Sequence, residues 1–211
     1  MNSTEKEISY NITNTYSTLN TLTEKTKHVW FACHGIDYLS RYFLKYFKEL
    51  NPEENYIIAP QASSKHYLGS AYKHVGASWL TKENTELEIE NNMRYFDAVF
   101  RVENIPKNIN LIVLGYSQGV SIAMRYVAKR QLQCSQLVLL SGGIPNELVA
   151  DNFKFLNAKV SVAYGNNDEF INEERLKQEK HKIEVIFGNN ANIITFEGKH
   201  EVKKEIINSF V

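Results

Sequence analysis

Cysteine is scarce in this sequence of 211 residues, which contains only Cys33 and Cys134. Cys33 ends one apolar run and Cys134 begins another. At such positions of an intracellular protein, buried reduced thiols are commoner than a disulfide or a metal site. We therefore predict two structural thiols and no metal centre.

The sequence also lacks an excess of charge and a long apolar segment. Lysine plus arginine total 24 residues, as do aspartate plus glutamate, so no basic surface for nucleic acid is expected. No stretch approaches the roughly 18 apolar residues of a membrane span, and the polar segment 1–7 lacks the apolar region of a secretory signal. We expect a soluble, cytoplasmic protein with a small-molecule substrate and no stable membrane insertion. Whether it forms a homodimer is left open.

What the sequence does contain is a series of short apolar runs within a chain that is 43% hydrophobic and long enough for a substantial core. We interpret residues 1–211 as one domain. The runs are bounded by Gly, Pro or Asn, and their length and branched or aromatic content are typical of strands buried on both faces. They cover residues 29–33, 56–59, 111–114, 137–140, 160–164 and 193–196.

Amphipathic stretches alternate with these runs. Apolar residues recur at helical spacing across residues 83–103 and again from Val120 to Ala128. The alternation predicts an α/β fold with a mostly parallel sheet, helices on both faces and an active site beyond the carboxyl ends of the strands. Residues 7–13 and 15–22 alternate partially around Asn14, which predicts an antiparallel edge hairpin.

The most informative motif is Gly115-Tyr116-Ser117-Gln118-Gly119, directly after the run 111–114. It predicts a nucleophile elbow, in which a strand turns sharply into a helix with the serine at the turn. Glycine is required at the flanking positions because a side chain there would collide with neighbouring backbone. The pattern alone would arise by chance in roughly one chain of this length in fifteen, so its context decides.

In a hydrolase of this architecture the chain order of the catalytic groups is serine, then acid, then histidine, so both partners must follow Ser117. Only His181 and His200 follow it, and His181 lies in a charged stretch that is typical of a solvated helix. His200 comes shortly after the run 193–196, at the end of a predicted strand, where its imidazole could take the proton of Ser117.

The predicted acid is Asp168, which follows the run 160–164 through a short turn. The other aspartate in this interval, Asp151, precedes no comparable turn, and Glu169 remains open as an alternative. The acid must be held against the imidazole N–H to fix its tautomer.

The predicted oxyanion donors are two backbone N–H groups. One belongs to Gln118, the residue after the nucleophile, and the other to Ile36, in the loop after the run 29–33. Gly35 lets this backbone approach closely, and His34 is interpreted as a structural hydrogen-bonding residue rather than a second base.

These motifs, in their order and spacing, resemble the carboxylesterase/phospholipase family of α/β-hydrolases, which includes acyl-protein thioesterases and lysophospholipases. The resemblance runs from about Val29 to Glu201. It rests on six segments: His34-Gly35, Ala59-Pro60-Gln61-Ala62, Gly76-Ala77-Ser78-Trp79, Gly115 to Gly119, Tyr164 to Asp168 and Gly198-Lys199-His200. It implies a Ser117, Asp168, His200 triad, an oxyanion hole from Ile36 and Gln118, no cofactor, and hydrolysis of carboxylic esters or thioesters.

The chain departs from the family pattern at two places, which bear on substrate preference. Val120 stands where the family usually has a glycine, and it would tighten the packing of the helix. The family also usually has an aspartate near the tryptophan, whereas this sequence has Trp79-Leu80-Thr81. Trp79 is predicted to border the acyl pocket, with burial in the core as the alternative.

The predicted function is a serine esterase that acts through an acyl-enzyme. The longest insertion before the elbow, residues 63–82, leaves little room for a large cap, which favours short or exposed acyl groups. A thioesterase, a lysophospholipase or a C–C hydrolase would use the same machinery, and a non-catalytic hydrolase-fold receptor is the alternative from another class.

Overall fold

The computed structural model describes residues 3–171 and 173–211, in which seven strands form the main sheet. Along the sheet their order is β1, β3, β2, β6, β7, β8, β9. The strands are β1 (Tyr16–Leu19), β2 (His28–Cys33), β3 (Asn55–Pro60), β6 (Asn110–Tyr116), β7 (Gln136–Leu140), β8 (Lys159–Gly165) and β9 (Ala191–Phe196). A separate antiparallel pair consists of β4 (Ser64–Leu68) and β5 (His74–Ser78).

The six predicted strands are all confirmed and pair in parallel with one another. In β2, residues Val29 to Cys33 have no exposed surface, as the continuous apolar run predicts. The register sets Cys33 beside Gly115 and Leu140 beside Ala163, so the carboxyl ends of the central strands lie at one edge. That edge carries the predicted site residues.

Helices cover both faces of the sheet, as predicted. They are α1 (Ser40–Phe43), α2 (Thr85–Glu103), α3 (Gln118–Arg130), α4 (Glu173–Phe187) and α5 (Lys204–Asn208). Alternate strand residues pack into two separate hydrophobic cores. Phe31 lies in the core that includes α2, α3 and α4, and Trp30 lies in the core that includes α1 and α5. The period of two along a strand explains this division.

The antiparallel edge of the sheet is confirmed, but its partner differs from the hairpin that the sequence predicted. β1 pairs with β3, with Tyr16 opposite Pro60, and residues 7–13 form no strand. Ile8, Tyr10 and Ile12 are each at least 73% exposed, so their alternation covers no apolar surface. The Asn14 side chain instead donates to the Gln61 carbonyl at 2.8 Å. The strand that follows it, β1, therefore pairs directly with β3.

The β4–β5 hairpin occupies the insertion 63–82 and was not assigned from the sequence. It packs on the loop after β2, where the Asp37 N–H donates to the Ala77 carbonyl at 3.0 Å. A Cβ on Gly76 would lie 2.6 Å from Asp37 Cα, so only glycine permits this approach. The insertion thus supports a loop that carries a predicted oxyanion donor.

Cys33 and Cys134 are buried free thiols, as predicted, and burial raises the pKa of both. In the part of the chain that the structure describes, no helix is long and apolar enough to cross a membrane.

Candidate active site

Ser117 lies at the turn between β6 and α3, with φ 53° and ψ −120°. A positive φ is unfavourable for serine, by roughly 1–3 kcal/mol, and persists only where the surroundings impose it. Here they do, because a Cβ on Gly119 would lie 2.1 Å from the Cys33 carbonyl oxygen and one on Gly115 would lie 2.5 Å from the Gly119 oxygen. The motif therefore forms the sharp strand-to-helix turn that the sequence predicted.

His200 approaches Ser117 from the loop after β9. Its Nε2 lies 2.9 Å from Ser117 Oγ. The Tyr116 hydroxyl donates to the His200 carbonyl at 3.0 Å, and the Phe170 ring packs edge-on at 4.8 Å from the imidazole. These contacts hold the imidazole over the nucleophile. His181 is exposed on α4, as its charged surroundings indicated.

Asp168 is the acid that reaches His200. Its Oδ2 lies 2.8 Å from His200 Nδ1, and its Oδ1 accepts the Phe170 N–H at 2.9 Å. The carboxylate is buried with no exposed side-chain surface, so Nδ1 must donate to it and Nε2 is left as the acceptor for the serine hydroxyl. Glu169 is exposed, and backbone N–H groups, its own first, lower its pKa.

Ile36 and Gln118 lie on the wall of the same pocket as Ser117 and His200. Across the described chain, neither backbone N–H donates to a protein acceptor. The loop of Ile36 comes close to the nucleophile, since a Cβ on Gly35 would lie 3.1 Å from Ser117 Cβ. Both predicted donors are therefore beside the serine and available to a ligand.

His34 is fully buried and hydrogen-bonded, which agrees with its predicted structural role. The Ala62 N–H donates to Nε2 at 3.1 Å, and Nδ1 donates to the Gly35 carbonyl at 2.7 Å. Burial lowers the pKa of His34 to about 4. The ring is therefore neutral at ordinary pH and holds the loop that leads to Ile36.

The prediction that Trp79 borders the acyl pocket is wrong, because this residue lies in the core. Its side chain has no exposed surface and is not on the pocket wall. The indole N–H needs a partner when buried and finds it in the His34 carbonyl at 2.7 Å. The ring packs against Phe96 at 5.4 Å.

The side chain of Gln118 has a function that sequence reasoning missed. Its Oε1 accepts the Trp79 N–H at 2.8 Å, and its Nε2 donates to the Leu80 carbonyl at 2.8 Å and to Ser78 Oγ at 3.0 Å. The first residue of α3 is thereby fastened to the segment after β5. A half-buried amide with hydrogen bonds from both its oxygen and its nitrogen fixes its own backbone.

Val120 packs tightly, as the departure from the family pattern suggested. It is fully buried, and a Cβ on Gly142 would lie 2.4 Å from its Cγ2 and 2.4 Å from the Ser117 carbonyl oxygen. Valine at this position therefore depends on glycine in the loop after β7.

The pocket above Ser117 has a volume of about 540 Å³ and is open to solvent. Ile36, Ser117, Gln118 and His200 on its wall were predicted from the sequence. Those that were not predicted are Tyr38, Tyr116, Ser121, Ser141, Gly142, Gly143, Phe170, Ile171 and Arg175. Among residues 3–171 and 173–211, no group of three His, Cys, Asp or Glu residues is arranged to hold a metal ion.

A mostly parallel sheet of this order, with a serine at the sharp turn after a central strand, defines an α/β-hydrolase. Residues 21–206 match the family described as serine hydrolase (FSH1), and the chain belongs to that family. No curated protein sequence matches the chain.

Solved structures of hydrolases share this fold at low sequence identity. Acyl-protein thioesterase 2 of Zea mays is 14% identical, with a TM-score of 0.70 over 94% of this chain and 96% of its own. A phospholipase/carboxylesterase of Dyadobacter fermentans is 17% identical, with a TM-score of 0.65 over 95% and 97%. A carboxylesterase of Bacillus cereus is 16% identical, with a TM-score of 0.64 over 94% and 95%. The family resemblance and fold class predicted from the sequence are confirmed.

Proposed function

We propose that this serine hydrolase cleaves carboxylic esters through an acyl-enzyme, with Ser117 as nucleophile, His200 as base and Asp168 as the group that orients the base. The observation that carries the proposal is the line of hydrogen bonds from Ser117 Oγ through His200 to Asp168, at 2.9 and 2.8 Å. It begins in an open pocket and ends at a buried carboxylate, which is the order that the chemistry requires.

Acylation begins when Ser117 Oγ attacks the ester carbonyl and His200 Nε2 takes its proton. The imidazolium that forms donates from Nδ1 to Asp168 Oδ2, so the negative carboxylate stabilises it. His200 then gives its proton to the alcohol oxygen as the bond to the acyl carbon breaks. Water, activated by the same imidazole, attacks the acyl-enzyme and releases the acid.

The attack of Ser117 on the ester and the attack of water on the acyl-enzyme each form a tetrahedral intermediate with a negative oxygen. The backbone N–H groups of Ile36 and Gln118 would stabilise this oxygen. Such donors act strongly because their positions are fixed before the reaction. In this protein the Gln118 side chain is anchored to Trp79 and Leu80, and the loop of Ile36 is anchored through His34 and Asp37. The two donors are thus held by contacts that the substrate does not make.

The open pocket supports short or exposed acyl groups as substrates. The insertion before the elbow forms the β4–β5 hairpin rather than a helical cap. Ala77 in its second strand contacts the loop of Ile36. Ser117 remains partly exposed on the wall of a pocket that is open to solvent.

The direct test is labelling of the purified protein with a fluorophosphonate probe, together with hydrolysis of p-nitrophenyl butyrate. We expect stoichiometric labelling at Ser117 and its loss, with the esterase activity, in Ser117→Ala. Ser63→Ala is the matched control, since Ser63 is exposed and lies off the pocket wall. Labelling or activity that persists in Ser117→Ala would overturn the assignment, and a non-catalytic receptor would not react with the probe.

A further inference from the structure

The wall of the pocket carries an imbalance of charge. Of its residues in the described ranges, Arg175 is the only lysine or arginine, and none is an aspartate or glutamate. The remainder are hydroxyl, apolar, glycine or amide residues apart from His200. A substrate group that enters this part of the pocket therefore meets a net positive charge.

Arg175 lies between the loops that follow β7 and β8. Its Nη1 donates to the Phe170 carbonyl at 2.9 Å, it makes further contacts, and its Nη2 lies 2.9 Å from where a Cβ on Gly143 would be. This bond to a neutral carbonyl oxygen fixes the position of the guanidinium. Glu179, one turn further along α4, directs its carboxylate to the Ile144 N–H at 2.9 Å and to Lys182 Nζ at 3.5 Å.

Ser141 provides an independent observation on the same wall. It is 3% exposed and has φ 48°, which is unfavourable for a serine. Its Oγ is buried and has no hydrogen-bond partner within the described part of the chain. A buried hydroxyl without a partner is rare in proteins, and rotation of the Ser141 side chain about χ1 towards the pocket would let a ligand oxygen satisfy it.

We propose that Arg175 and Ser141 bind a carboxylate of the substrate, so that the protein prefers esters that carry a carboxylate to neutral esters of the same size. A guanidinium matches a carboxylate because paired N–H groups meet its two oxygens, and a hydroxyl donor adds a third contact. A single arginine suits one carboxylate better than a phosphate, which brings up to two charges. This inference rests on the proposed ester hydrolysis and names its substrate class.

The first experiment compares matched esters by titration of the acid released. One series places the carboxylate on the acyl half: the monoethyl esters of succinic, glutaric and adipic acids. The other places it on the alcohol half: the acetates of glycolic and 4-hydroxybutanoic acids. The primary amide of each compound is its neutral match. We expect kcat/KM to be about tenfold higher for the carboxylates of one series, as for a charge-assisted hydrogen bond at a partly exposed site. Equal or lower values in both series would overturn the proposal.

Variants test whether these two residues cause the preference. Arg175→Gln should reduce the carboxylate-to-amide ratio to about one, whereas Lys177→Gln, an exposed lysine on α4 off the pocket wall, should keep it. Ser141→Ala should lower the ratio and Ser161→Ala should not, although Ser161 also has a buried hydroxyl without a partner in the described chain. An equal loss in Lys177→Gln, or an unchanged ratio in Arg175→Gln or Ser141→Ala, would overturn the assignment of the residue concerned.

Binding separates this inference from the proposed function. The same ester pairs are titrated calorimetrically into Ser117→Ala, with and without Arg175→Gln. We expect tighter binding of the carboxylate member, lost with Arg175→Gln. If no ester is hydrolysed and Ser117 is not labelled, the proposed function fails, and the titration still decides the carboxylate site. Equal binding of acid and amide would overturn that site while leaving hydrolysis intact.

Discussion

Trp79 and Gln118 are joined by a hydrogen bond from the Trp79 N–H to Gln118 Oε1 at 2.8 Å. The indole of the same tryptophan donates to the His34 carbonyl at 2.7 Å. His34 is two residues before Ile36, so Trp79 contacts both segments that supply the proposed oxyanion donors. A core residue thereby links two loops that must keep a fixed distance during the reaction.

Gln118→Leu removes this link while keeping a side chain of similar volume. The Trp79 N–H loses its acceptor, whereas the Leu80 carbonyl keeps the Ser78 hydroxyl as a donor at 2.8 Å. One unsatisfied buried group costs about 1–3 kcal/mol. We expect a lower free energy of unfolding in urea and a fall in kcat that exceeds any change in KM, because the donor acts on the transition state. Gln178→Leu, an exposed change on α4, should stay within about 0.5 kcal/mol. Wild-type stability and kcat in Gln118→Leu would contradict the link.

Trp79→Phe distinguishes a core residue from a substrate contact. The smaller ring leaves the His34 carbonyl without its donor, so we expect a loss of about 1–3 kcal/mol in the free energy of unfolding. Because the ring does not reach the pocket, KM for esters of two to eight acyl carbons should keep its dependence on chain length. A rise in KM that grows with chain length would show that Trp79 contacts the acyl group after all.

The sequence predicts the strands and the three hydrogen-bonded residues Ser117, His200 and Asp168, because both predictions depend on patterns within short segments. Apolar runs buried on both faces are visible in single segments such as 29–33, and chain order leaves one suitable histidine after Ser117. The turn after β8 brings Asp168 to His200, whereas Glu169, the next residue, faces solvent. Placement at strand ends was enough to select these residues.

The predictions that failed depended on distant contacts. The alternation of residues 7–13 suits a strand, but no apolar surface lies beneath it. Trp79 is buried because the His34 carbonyl, 45 residues away in the chain, accepts its indole N–H. Arg175 and Ser141 share a pocket only because α4 and the loop after β7 meet in the fold. Contacts between segments that are distant in the chain cannot be predicted from local patterns in a single sequence.

Asp168→Asn and Glu169→Gln together test which acid orients His200. An amide at position 168 can present its NH₂ to Nδ1 and favour the wrong tautomer, which we expect to lower kcat by about 10⁴. Glu169→Gln should retain nearly full kcat, since this side chain is exposed. Steady-state rates on p-nitrophenyl butyrate decide between them. The opposite ranking would transfer the role to Glu169.

His34 makes stability depend on pH in a defined window. Burial lowers its pKa to about 4, whereas an imidazole in the unfolded chain titrates near pH 6.5. Between these values the unfolded state binds more protons, so the free energy of unfolding falls as the pH drops from 6.5 towards 4. The difference of about 2.5 pKa units corresponds to about 3 kcal/mol. Urea unfolding at pH 7 and at pH 4.5 should therefore show a smaller loss of stability for His34→Gln than for the wild type. His181→Gln, which alters an exposed histidine on α4, should follow the wild type, and parallel pH profiles for all three proteins would refute the role of His34.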